Sequence, residues 1–260
     1  MKIALMDSGI GLLAAAAVVR RLRPDADLVL SSDPDSMPWG PRTPEDITAL
    51  ALDVARAAAA HRPDALIIAC NTASVHALPA LRAELEPALP VIGTVPAIKP
   101  AAAGGGSVAI WATPATTGSP YQRELIGDFG GSAEVTEVPC PGLADALEHG
   151  DEAGIDRAVA AAAALTPPDV RAVVLGCTHY ELVATRIREA VQRPGRPLAL
   201  HGSAGAVAAQ ALRRIGADPA PTAEPSGTLT VLRAGRPATL PEAALTYAEG
   251  RMLAGAAPVL

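Results

Sequence analysis

Residues 66–76 read LIIACNTASVH and residues 173–182 read VVLGCTHYEL. Each begins as a short apolar run, reaches a cysteine through one small residue, and continues with Asn-Thr or Thr-His. A run that short, bounded by small polar residues, is a buried strand ending near the cysteine rather than a helix. The matching arrangement in two places, in a chain with three cysteines, points to two similar α/β halves.

The rest of the chain carries the same alternation. Candidate strands fall at 2–6, 27–31, 65–70, 91–95, 107–112, 134–138, 171–176, 197–201 and 228–232. Helical stretches lie between them, such as 44–60, where Thr43 is a cap, Pro44 takes the first position, and Glu45 and Asp46 face the positive end of the dipole. Alternation of this kind predicts mainly parallel sheets with helical crossovers. The Pro-, Ala- and Gly-rich stretch 95–106 is the best hinge, a second break falls near 192–197, and 216–227 is a Pro-rich loop. The expected organisation is two pseudo-symmetric α/β domains facing across a cleft, 1–97 with 201–260 and 98–200. Ligands of open α/β sheets bind at the carboxyl ends of strands, where Asp7, Ser8, Asp33, Cys70, Asn71, Thr113, Cys177 and Thr178 stand.

Composition removes several function classes. Half of the 260 residues are hydrophobic but only 2% aromatic, so the core is built of Ala, Val, Leu and Ile. A net charge of −6 without a dense Lys/Arg run leaves no nucleic-acid footprint. No apolar run approaches the roughly 20 residues that span a bilayer, and KIALMDSG at the N-terminus does not read as a signal peptide. Three cysteines without a C-x-x-C make neither a disulfide framework nor a zinc site. A reducing cytoplasm is the expected compartment, with no metal.

A cysteine ending an apolar strand is commonly a small buried hydrophobe, and that suffices for Cys140. Cys70 and Cys177 are followed by residues that hydrogen-bond ligands and are costly to bury unpaired. Two opposed thiols can move a proton between the faces of a carbon next to a carboxylate, one sulfur removing it and the other returning one. A thiol near pKa 8.5 needs help to ionise. Both cysteines precede helical stretches, His179 stands two residues after Cys177, and Asp7 ends the strand expected beside that of Cys70.

The motifs DSGIG (7–11), PWGPRTPEDI (38–47), ACNTAS (69–74), ATPATTGSPYQREL (112–125), CPGLADALE (140–148) and LGCTHYEL (175–182) resemble, in order and spacing, those of glutamate racemase in the aspartate/glutamate racemase superfamily. The resemblance covers about residues 3–250. It implies a cofactor-independent two-base enzyme, a cytoplasmic homodimer acting on glutamate and supplying D-glutamate for peptidoglycan. Cys70 and Cys177 would be the bases, helped by Asp7 and His179. Ser8, Pro38, Trp39, Gly40, Asn71, Thr72, Thr113, Thr116 and Thr178 would line the substrate.

Departures from the pattern cluster near these residues. Trp39 replaces a Tyr, Leu12 a Gly and Glu181 a Pro, and HGSA (201–204) replaces an Asp-Ser pair. An inward Glu181 carboxylate would repel a substrate carboxylate, and Glu181→Pro would relieve it; the alternative is a solvated helix residue. The rival functions are a paralogous racemase for aspartate or another amino acid, and a racemase-like binding protein with little turnover.

Overall fold

Both cysteine-bearing runs are strands in the computed structural model, which describes residues 1–255. The strands are β1 (Lys2–Asp7), β2 (Asp27–Ser32), β3 (Ala65–Ile68), β4 (Val91–Gly93), β5 (Gly106–Ala112), β6 (Ala133–Pro139), β7 (Ala172–Leu175), β8 (Ala199–His201), β9 (Leu229–Arg233) and β10 (Arg236–Ala238). The chain divides into two units, Met1–Val95 with the chain from Ala204 onward, and Pro96–Ser203.

The first unit holds a sheet of order β10-β9-β2-β1-β3-β4 and the second a sheet of order β6-β5-β7-β8. Pairing is parallel throughout, apart from the β9–β10 hairpin. The order β2-β1-β3-β4 therefore recurs as β6-β5-β7-β8, and the fold class is the expected α/β with parallel sheets. In register, Met6 pairs with Ile68 and Trp111 with Leu175. Each cysteine lies two residues beyond the second member of its pair, so Cys70 and Cys177 hold equivalent places.

Why these runs form strands is visible in their burial. Every residue of β3 and β7 is buried, as a parallel sheet covered on both faces requires, which is why they read as unbroken apolar runs. The first unit's core packs Met6, Ile47, Val54, Leu66, Ile68 and Leu81, and the second's packs Ile98, Val108, Ile110 and Val174. The helix Pro44–Ala59 starts as its sequence dictates, with Asp46 N–H donating to Thr43 Oγ1 at 3.2 Å. Among the described residues no helix is long and apolar enough to cross a membrane.

Three details differ from expectation. The stretch 95–106 contains a helix, Ile98–Ala102, whose Ile98 and Ala101 enter the second unit's core. β4 stops at Gly93 because Thr94 leaves the ladder: its N–H goes to Ser74 Oγ at 2.9 Å and its hydroxyl to the Ile68 carbonyl at 2.7 Å. The exposed edge strand β10 follows a two-residue turn in which Ala234 and Gly235 both have positive φ, the backbone of a tight hairpin.

Candidate active site

In the first unit the carboxyl ends of β1 and β3 bring Asp7, Ser8, Cys70 and Asn71 together. Asp7 is fully buried, and its Oδ1 accepts from the Ser8 N–H at 2.7 Å and the Ser8 hydroxyl at 3.2 Å. Cys70 is 5% exposed and stands in extended backbone at the start of the helix Asn71–His76. Burial pushes its thiol well above the ordinary range, and the Asp7 charge adds to the shift. The Ala73 and Ser8 amides favour the anion but are outweighed; the Ala73 N–H is near without forming a capping bond of full geometry. Burial and the neighbouring carboxylate thus both favour the thiol over the thiolate. Asn71 is buried, and Thr72 beside it is half-buried.

Pro38, Trp39 and Gly40 lie on the loop after β2, which pairs with β1. Pro38 is exposed and follows a cis peptide bond, and Gly40 is half-buried. The Trp39 side chain is taken up by the fold. Its ring is 2% exposed within the first unit's core, and its Nε1–H donates to Ser36 Oγ at 2.8 Å, which in turn donates to Asp33 Oδ2 at 2.6 Å. What this residue leaves for a ligand is its backbone, and Asp33 serves as the loop's anchor.

In the second unit Thr113 follows β5 and Cys177 follows β7, on neighbouring strands. The Thr113 and Thr116 hydroxyls lie 3.1 Å apart. Cys177 is half-buried and opens the turn Thr178–Val183 from an extended backbone like that of Cys70. Its Sγ is 3.9 Å from His179 Nδ1, and His179 Nε2 is 3.0 Å from Glu148 Oε2. Thr178 and His179 are buried.

Glu148 is the residue that reading by sequence missed. It sits in CPGLADALE, on the helix Leu143–His149, where its buried neighbours are Leu143, Ala146 and Leu147. Its placement on that buried face was the available signal, because a carboxylate is rarely buried without a partner. An ionised Glu148 would accept from a His179 Nε2–H, an arrangement that sets Nδ1 toward the Cys177 thiol. The half-sites thus differ. The place of Asp7 is taken in the second unit by Ala112, and the titratable partner arrives instead through His179 and Glu148.

Glu181, expected either to face the substrate or to be solvated, is half-buried and its carboxylate is engaged within the second unit. Its Oε1 accepts from the Ser203 N–H at 2.7 Å and the Ser203 hydroxyl at 2.9 Å. Cys140 is buried, as expected of a structural thiol, and burial pushes it up to about 12. The Tyr180 hydroxyl donates to its carbonyl at 3.4 Å.

Comparison with known proteins returns one family and many relatives. The Asp/Glu/hydantoin racemase family profile matches residues 12–211. The chain is 36% identical over 263 residues to a glutamate racemase of Granulibacter bethesdensis, covering 98% of this chain and 89% of that one. It is 39% identical over 201 residues to a glutamate racemase of Sulfurovum sp., covering 74% and 76%. The structure is similar to that of Escherichia coli glutamate racemase in complex with L-glutamate and the activator UDP-MurNAc-Ala. That match has a TM-score of 0.71 and 27% identity, and covers 90% of each chain.

Proposed function

Because the chain belongs to the Asp/Glu/hydantoin racemase family, we propose that it is a glutamate racemase that uses two cysteines and no cofactor. Cys70 and Cys177 are the bases. In one direction the thiolate of one takes the proton from the substrate Cα; the C–H bond breaks and its electron pair passes into the adjacent carboxylate. The thiol of the other gives its proton to the opposite face, so a new C–H bond forms as that S–H bond breaks. The first sulfur ends as a thiol and the second as a thiolate, the state from which the reverse reaction starts.

The roles of the neighbours follow from their chemistry. Asp7 is the carboxylate beside Cys70, and His179, oriented by Glu148, is the proton partner of Cys177. Ser8, Asn71, Thr72, Thr113, Thr116 and Thr178, with the backbone of Pro38, Trp39 and Gly40, are the donors and acceptors for the amino acid. Donors aimed at the carboxylate stabilise the charge that develops there. D-glutamate for peptidoglycan is the product, and the free thiols suit a reducing cytoplasm. A homodimer is inferred from the resemblance to the family alone.

The observation that carries this reading is the pair of thiols at equivalent places in two sheets of the same order, each with its own titratable neighbour. Incubation with each L- and D-amino acid in deuterated water, followed by proton resonance at Cα and by optical rotation, tests it. Exchange and inversion with glutamate are expected. Turnover of aspartate instead would reassign the substrate, and no exchange with any amino acid would leave a binding protein.

A further inference from the structure

We propose that Glu181 is a positioning residue for Cys177, holding the catalytic turn through Ser203; this rests on the reading of Cys177 as a base. β7 and β8 are parallel neighbours, with Val174 opposite His201. One strand runs on to Cys177 and the turn Thr178–Val183, and the other to Gly202 and Ser203. The Glu181 carboxylate joins the two exits. It accepts both the N–H and the hydroxyl of Ser203, at 2.7 and 2.9 Å, and Ser203 is only 4% exposed. Hydrogen bonds to an ionised acceptor are about twice as strong as neutral ones.

Two further features fit this role. A Cβ at Gly202 would clash with the Glu181 carboxylate, so the glycine leaves the space that the carboxylate fills. The turn is also tethered in other directions by its preceding residues: His179 reaches Glu148, and Tyr180 reaches the Cys140 carbonyl. Three consecutive side chains thus grip two segments, residues 140–148 and the exit of β8, and Glu181 supplies the grip on the β8 side. A carboxylate so engaged holds the turn, and the charge expected to repel substrate is committed to Ser203.

The test compares Glu181→Ala, Glu181→Pro, Glu181→Gln and Ser203→Ala in the full chain. Two readouts are taken: steady-state racemisation of glutamate, and the iodoacetamide alkylation rates of Cys70 and Cys177, resolved by peptide mass. Glu181→Ala and Glu181→Pro should lower kcat by about tenfold or more, as a small misplacement of a reacting group does, with KM unchanged. The alkylation rate should change at Cys177 and stay the same at Cys70. Glu181→Gln keeps an amide oxygen for both donors and should restore both readouts; Ser203→Ala keeps the backbone bond and should show a smaller loss of the same kind. Unchanged kcat and unchanged Cys177 alkylation, or equal changes at both cysteines, would overturn the proposal. If Glu181→Ala or Glu181→Pro fails to fold, Glu181→Gln and Ser203→Ala decide by the same contrast. A wild-type chain that racemises no amino acid would sink the function instead, while the alkylation contrast still judges the tether.

Discussion

His179 and Glu148 form a buried pair, with Nε2 and Oε2 3.0 Å apart and side chains 4% and 8% exposed. The other ring nitrogen, Nδ1, lies 3.9 Å from Cys177 Sγ, and the proposed role of His179 as proton partner rests on that geometry.

Glu148→Gln keeps the shape of that pair and removes its charge. Turnover in both directions should fall by about a hundredfold, the scale of a positioned acid–base group, and Cys177 alkylation should change while Cys70 alkylation does not. Wild-type kcat in this variant would make the pair structural.

Asp7→Asn tests the other half-site. Burial is the first cause of the raised Cys70 thiol and the Asp7 charge the second, so removing the charge lowers that pKa. The pH profile of Cys70 alkylation should move to lower pH, while racemisation falls because the neighbouring carboxylate is lost. A profile that stays in place, or moves up, would contradict the electrostatic account.

Much of this was legible in the sequence because buried parallel strands leave unbroken apolar runs. Nine strands stood out, and the buried runs of β1, β3, β5 and β7 among them located Asp7, Cys70, Thr113 and Cys177 at or just beyond their ends. β10 did not, since Arg236, Pro237 and Ala238 are an exposed edge with no pattern. Glu148 was hidden because its partner is 31 residues away, and its place beside Leu143, Ala146 and Leu147 was the one local sign that it faces inward. Trp39 and Glu181 misled for a related reason: a substituted residue near a site is read against the substrate, whereas these two are satisfied by Ser36 and Ser203.

Trp39 should accordingly behave as a core residue. Trp39→Phe loses the bond to Ser36, at about 1 kcal/mol, and Trp39→Ala should cost about 3–5 kcal/mol through the cavity it leaves. Urea unfolding reads both. A stability equal to wild type in Trp39→Ala would show that the ring is not packed as described.

Alkaline pH should destabilise the fold through its buried acids. Cys140 is pushed up to about 12 by burial, and Cys70 and Tyr180 are raised for the same first cause. An acid whose pKa is raised on folding contributes stability that is complete below its unfolded value, about 8.5 for a thiol, and lost as pH rises through the folded one. The urea midpoint should fall from about pH 9 upward, and less steeply in Cys140→Ala. A midpoint that does not vary over that range would contradict this.

The central claim is that Cys70 and Cys177 each serve one face of the same carbon, and single-thiol variants test it most directly. Cys70→Ser and Cys177→Ser are each incubated with L- and with D-glutamate in deuterated water, and exchange at Cα is followed together with inversion. Inversion should fall by orders of magnitude in both, since a hydroxyl is a far poorer base than a thiolate. Each variant should still exchange the proton that faces its remaining sulfur, so the two should prefer opposite enantiomers. The same preference in both variants, or inversion at the wild-type rate in either, would contradict the two-thiol account.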